Sequence, residues 1–213
     1  MDDQILSVNY LAEPGPHNTD LTLATALTRA MELGLGHVVV ATDSGKTARK
    51  TLEVFGEDFD IVAVTNSRKL RLPLSGLHDY TERFREFRES LRAKGIKAIP
   101  VGMSDEGMEE LRGAGVKVSR IDWGEFNAFV KRDINAIDCI GTAVRVALVC
   151  AVWGYVNGDV PPATDVISLA GTGFGGGGAD VAIVVRTAEE WKDFRVLETL
   201  IRPRVSPPSK LNR

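Results

Sequence analysis

The sequence predicts an α/β fold with a mostly parallel sheet, on three observations. The runs His37–Thr42 (HVVVAT) and Ile61–Thr65 (IVAVT) are continuously apolar, the pattern of strands covered on both faces. The segments between the early strands carry apolar residues at helical spacing: Leu23, Leu27, Ala30 and Met31, then Ala48, Leu52 and Phe55. With Ile5–Tyr10 as an opening strand this makes β-α-β-α-β within the first 65 residues, which implies parallel strands joined by right-handed crossovers. Late in the chain, Val166–Ala170 and Val181–Val185 are two apolar strands joined only by a turn, so they pair antiparallel.

The remaining elements follow in order. Glu13–Thr19 is a turn-rich loop, with Asn18 or Thr19 as N-cap and Asp20 complementing the first-turn dipole. Gly34 and Gly36 stop that helix. Asp43-Ser44-Gly45 turns the chain into a helix from Lys46 to Phe55. Asn66–Asp79 shows neither period and is read as a long loop. Tyr80, Phe84, Phe87 and Leu91 then form one stripe of a helix closed by Gly95, its other faces charged. Ile96–Val101 and Val116–Ile121 are strand candidates around a short helix from Ser104 to Arg112. A short helix from Trp123 to Lys131 precedes a long one from Ile134 to Val156, which Asn157-Gly158-Asp159 and Pro161-Pro162 end. One domain is expected over 1–201, with 202–213 as an extended or disordered Pro-rich tail.

Composition narrows the function classes. The chain has 213 residues, 26 Lys plus Arg against 29 Asp plus Glu, and a formal charge of −3. That balance, without a basic tail, argues against a dedicated nucleic-acid binder. The most apolar stretch, Ile134–Val156, is broken by Asn135, Asp138, Thr142 and Arg145, and falls short of the about 20 apolar residues of a membrane span. The start, MDDQILSVNY, is acidic and carries no apolar core of an export signal. Cys139 and Cys150 are placed in one helix, about 16 Å apart, too far to bridge. Two reduced thiols fit a cytoplasmic protein, and no His or Cys lies near them to ligate a metal.

Three segments could carry chemistry. Thr42-Asp43-Ser44-Gly45-Lys46-Thr47 lies between a buried strand and a helix, where free N–H groups, hydroxyls and a Lys suit a phosphate. It is not a Walker A loop, because Val40 stands where the first Gly is required. An ordinary capped βα turn would look the same. The 21 glycines are a mild excess, and seven of them fall between Gly158 and Gly178. Gly171, Gly173 and Gly176 satisfy G-x-G-x-x-G, but a strand follows rather than the helix that dinucleotide binding needs. The run, with Phe174 and Gly175 inside it, still lets backbone approach a ligand; a plain hairpin turn is the alternative. Third, Pro14–Thr19 follows the first strand. In an open parallel sheet the loops after Asn9, Thr42, Thr65 and Ala170 meet at one crevice. Neither His17 nor His78 pairs with a nucleophile in the sequence, and no catalytic residue is assigned. Asp43 is the one carboxylate near the cradle.

Pro14-Gly15 followed by Asn18-Thr19, HVVVATDSGKTARK, DIVAVT and ISLAGTGFGGGGADVAIVVR together resemble the pyruvate kinase C-terminal-domain-like proteins. The likeness runs over about Ile5 to Thr187 and is poorest from Arg68 to Asp133. It implies a three-layer α/β/α sandwich, mostly parallel, with an antiparallel last strand. The related loop in pyruvate kinase holds a phosphate of its sugar-bisphosphate activator, which implicates Thr42, Ser44, Gly45 and Thr47, with Lys46 beside them. The catalytic barrel of that enzyme has no room here, so kinase activity is not implied.

The function expected first is binding of a small phosphorylated ligand, flavin mononucleotide (FMN) or a sugar phosphate. The residues expected to line the crevice are Asn18, Thr19, Thr42, Ser44, Gly45, Lys46, Thr47, Thr65, Gly171, Gly173, Phe174, Gly175 and Gly176. A structural or regulatory homo-oligomerisation module is the second expectation, resting on the apolar stretch Cys139–Val156 as a partner-facing helix. A small phosphoester-processing enzyme, with Arg68–Arg71 as a lid, is the third.

Overall fold

The computed structural model describes residues 7–66, 71–73, 82–131, 140–172 and 178–205. A seven-stranded sheet forms the middle layer. Its strands are β1 (Asn9–Leu11), β2 (His37–Ala41), β3 (Asp60–Thr65), β6 (Lys117–Arg120), β7 (Asp165–Ala170), β8 (Val181–Arg186) and β9 (Arg195–Pro203), in the order β1-β9-β8-β7-β2-β3-β6. All neighbouring pairs are parallel except β7–β8 and β8–β9, so β8 alone runs against the rest. The expected antiparallel return of Val181–Val185 is present; a further strand, β9, follows it and restores the common direction.

Side chains alternate across each strand, and this builds two cores. Val38, Val40, Ala63 and Ile167 face one side, packed with Leu23 and Ala26 of α1 (Thr19–Leu33), Ala48 and Phe55 of α2 (Lys46–Phe55), and Met108 and Leu111 of α4 (Asp105–Gly113). Val39, Val62, Val64 and Val166 face the other, packed with Phe126 of α5 (Trp123–Val130) and with α6 (Thr142–Val156). The result is a three-layer α/β/α sandwich.

The helix ends obey local chemistry. Gly34 closes α1 in the left-handed region at φ 64°. The Ser104 hydroxyl accepts the Gly107 N–H at the start of α4, and the Asp122 carboxylate accepts those of Gly124 and Glu125 at the start of α5. Between β3 and α4 the chain makes an excursion containing β4 (Arg71–Pro73), α3 (Glu82–Ala93) and β5 (Ala98–Pro100).

Several expectations are corrected. Asn66–Asp79 is not wholly loop, because Arg71–Pro73 pairs antiparallel with Ala98–Pro100 in a separate two-stranded sheet. The strand expected at Ile96–Val101 therefore does not join the main sheet. The long helix starts at Thr142, not Ile134: Gly141 precedes it at φ 104°, a non-helical conformation. Cys150 lies in α6, and Cys139 lies outside the described residues. The opening strand is Asn9–Leu11, while residues 1–6 lie outside the described residues. Arg202 and Pro203 are not tail. They pair with Tyr10 and Leu11, and the Arg204 N–H donates to the Leu11 carbonyl. Residues 206–213 lie outside the described residues.

Candidate functional site

The strand order fixes where a crevice can open. From β2 the chain steps outward to β3 and β6; after α6 it re-enters on the other flank of β2, as β7, and steps away to β8 and β9. The direction of winding reverses between β2 and β7, and ligands of open α/β sheets bind beyond the strand C-termini at such a switch point. Beyond β2 lie Thr42–Gly45, and beyond β7 lie Gly171 and Thr172.

Hydrogen bonds tie the neighbouring loops together here. The Gly178 N–H donates to Thr47 Oγ1 at 2.9 Å, and the Ala179 N–H to Thr19 Oγ1 at 3.0 Å. The stem of the glycine-rich turn is thus fastened to the first turns of α2 and α1. A Cβ on Gly178 would meet Thr19 Oγ1 at 2.5 Å and the Pro16 Cα at 2.7 Å; one on Gly171 would meet the Gly178 carbonyl oxygen at 2.4 Å. Glycine is required at both ends because the backbones touch.

The loop after β2 is folded by its own residues. Thr42 Oγ1 accepts the Gly45 N–H at 3.0 Å, and Gly45 takes φ 81° to enter α2. Unlike α4 and α5, α2 begins with no side-chain cap, so its first N–H groups keep their donor direction toward the crevice end of β2. Ser44 and Lys46 are exposed at this turn, whereas Thr42 and Thr47 are buried. The Thr42 and Thr47 hydroxyls serve as acceptors in the bonds above, which leaves each its O–H to donate.

Other expected site residues hold the framework. Thr19 Oγ1 also donates to the Pro16 carbonyl at 2.6 Å. Asn18 Nδ2 donates to the carbonyls of Glu13 and Gly15 and makes no side-chain cap to α1. Buried Thr65 uses Oγ1 to accept the Met103 N–H at 2.8 Å, closing the base of the β4–α3–β5 excursion. Gly173, Phe174, Gly175 and Gly176 lie outside the described residues, as do Arg68–Lys69 of the expected lid.

Two carboxylates stand at the crevice. Asp43 keeps solvent access as a residue, yet protein packs closely enough around its carboxyl that burial raises its pKa, against hydrogen bonds from the Asn66 backbone and side chain. Its charge reaches Cys150 on α6, whose thiol is pushed up chiefly by burial. Asp180, the residue before β8, was not among the expected site residues. It is 1% exposed and accepts three hydrogen bonds: from Gly15 N at 2.8 Å, Thr172 N at 3.0 Å and Thr172 Oγ1 at 2.8 Å. Burial raises its pKa to about 6, although these bonds and nearby His17 favour the charged form. The only hint in the sequence is an acid placed directly before an unbroken apolar strand.

The strand–turn–helix after β2 and the glycine stem beyond β7, joined at one switch point, are the parts a family comparison would have to account for. The model of the pyruvate kinase alpha/beta domain matches residues 20–185. The chain belongs to that family. In this pyruvate kinase α/β domain the match takes in β2 through β8 and both loops of the switch point, and it leaves out β1 and β9.

A second concavity of about 490 Å³ lies between β1, α1 and β9. Its one cation, Arg29, is bound by both carboxylate oxygens of Glu198 at 2.8 and 2.7 Å and by Glu32 at 2.8 Å, so it offers no charge to an anion. Among the described residues no His, Cys, Asp and Glu group could hold a metal, and no helix is long and apolar enough to cross a membrane.

Proposed function

We propose that the switch-point crevice binds a small phosphorylated ligand, with FMN or a sugar phosphate as the chemical class. The observation that carries this is the β2–α2 turn: Gly45 in the left-handed region, no side-chain cap on α2, and Ser44 and Lys46 exposed beside those N–H groups. Backbone donors, the helix dipole, two or three hydroxyls and one ammonium favour a compact dianion. The glycines at both ends of the neighbouring turn let backbone come close to the rest of such a ligand. The function assigned is binding; no acid–base pair is assigned and no phosphoryl transfer is invoked.

Calorimetric titration of FMN, ribose 5-phosphate and a sugar bisphosphate into the protein tests it. One of them is expected to bind tighter than millimolar, and the Ser44→Ala/Lys46→Ala double variant to weaken it at least tenfold. Absence of binding by all three overturns the proposal.

The second expectation, a homo-oligomerisation module, sets the apolar stretch Cys139–Val156 against a partner helix. Twelve of the fifteen residues of α6 are buried within the chain, so that stripe is already covered and supports no such surface.

A further inference from the structure

Resting on the anion-binding role proposed above, we infer that the Asp180 carboxylate is a built-in competitor for the ligand's anionic group, and that the anion binds with uptake of one proton by Asp180. The geometry is that of a filled oxyanion site. Two backbone N–H groups and a hydroxyl converge on one carboxylate, and each is a donor that a phosphate oxygen would accept from equally well. The Thr172 contacts are buried, but Gly15 is only half-buried, and its bond to Asp180 Oδ2 lies at the edge of the cluster. Gly15 opens the loop into α1, whose N-terminus likewise has no side-chain cap.

Asp180 is also near the proposed cradle. Gly178, two residues earlier, donates to Thr47 Oγ1 in the first turn of α2. Gly178 also packs against Pro16, the residue after Gly15, so the cradle and the Gly15 N–H flank a single residue, and an anion between them lies within roughly 10 Å of the Asp180 carboxylate. At such separations, in partly buried surroundings, like charges raise the carboxylate midpoint by about one pH unit. Charges that would offset this are few. His17, in the same loop as Gly15, acts directly on Asp180. On the elements around it, Asp20 of α1 is paired with Lys50 and Arg49 of α2 with Glu110, Lys46 of α2 is exposed, Asp43 stands in the β2–α2 turn with its own pKa raised by burial, and β9 carries Arg202.

The exchange balances simply. A solvent proton goes to Oδ2, which then faces Gly15 with an O–H instead of a lone pair. The Gly15 N–H is released and donates to the incoming anion, while Oδ1 keeps both Thr172 donors. Loss of the carboxylate charge and gain of a donor act in the same direction, so affinity rises as pH falls through the midpoint, which burial places at about 6.

Sulfate is the probe, because it stays a dianion from pH 5 to 8. Calorimetry at pH 6.5 in two buffers of different ionisation enthalpy reads the proton uptake directly. The wild type is expected to take up about half a proton per sulfate and to bind about sixfold tighter at pH 5.5 than at 7.5. Asp180→Asn is expected to lose most of that uptake, and the Asp43→Asn/Asp180→Asn double variant to take up none and show a flat profile. Should that variant not fold, Thr172→Val serves: it removes one donor that favours the carboxylate, so the break in the affinity profile should move to higher pH. Sulfate binding without proton uptake, or an unmoved break in Thr172→Val, overturns the inference. A protein that binds neither sulfate nor the phosphorylated ligands overturns the proposed function and this coupling with it. The pH titration of the Gly15 amide proton by NMR separates the two failures, since it reports Asp180 without any ligand.

Discussion

Thr47 Oγ1 accepts the Gly178 N–H at 2.9 Å, across 131 residues of sequence, and this bond makes the start of α2 and the stem of the glycine-rich turn one mechanical unit. Thr47 is 3% exposed, so no water stands ready to replace the hydroxyl. Thr47→Val keeps the shape and strands the part-buried Gly178 N–H. It is expected to destabilise by about 1–3 kcal/mol in denaturant unfolding, whereas Thr47→Ser stays within about 1 kcal/mol. Equal effects of the two would show that the hydroxyl contributes nothing there.

Gly178→Ala and Gly158→Ala separate contact from backbone conformation. Both glycines have positive φ, 100° and 79°, but a Cβ at Gly158 meets nothing within 4 Å, while one at Gly178 runs into Thr19 and Pro16. Gly158→Ala is expected to cost about 1 kcal/mol. Gly178→Ala should cost at least twice that, read as the difference in unfolding midpoints.

Stability should carry a signature of Asp180. Its native pKa, about 6, exceeds the ordinary 3.8, so the folded state holds the proton more tightly than the unfolded chain. The associated stability is fully present below about 3.8 and is lost as pH rises through about 6. About two pH units at 1.36 kcal/mol each set its size on the order of 3 kcal/mol. Asp43, also raised, acts with the same sign. The stability difference between wild type and Asp180→Asn should therefore shift in favour of the wild type as pH falls from 7.5 to 5; a constant difference would refute it.

Ser44→Ala and Lys46→Ala should each weaken binding of whichever phosphorylated ligand the titration finds by about tenfold while moving unfolding free energy by less than about 0.5 kcal/mol, since both side chains are exposed. Calorimetry paired with chemical denaturation measures both quantities.

Much of this architecture was legible because its signals are local. HVVVA and DIVAVT read as buried strands from apolar continuity alone, and α1 and α2 from the spacing of Leu23, Leu27 and Ala30 and of Ala48, Leu52 and Phe55. The unrecognised strand β9 shows the opposite case. Arg195, Val196 and Leu197 are exposed while Leu200 and Ile201 are buried, so neither continuity nor alternation marks it, and Pro203 resembles a terminator. At Gly141 one positive φ breaks a stretch that is mostly apolar and reads as a single helix. The loops of the candidate site were legible as a group, since the switch point follows from strand order. The division of labour was not: that Thr19 and Thr65 brace backbone and Asp180 gathers three donors depends on contacts across 160, 38 and 165 residues.

The parallel seam between β1 and β9 gives the far end of the chain a hold on the crevice. β1 has no other strand beside it among the described residues, and the loop bearing Gly15 hangs directly from it. Trimming the chain back before Ile201, or forcing a bulky fusion against Arg202–Arg204, would unmoor that loop. Damage at the last strand would then be felt first in a loop almost two hundred positions earlier in the chain.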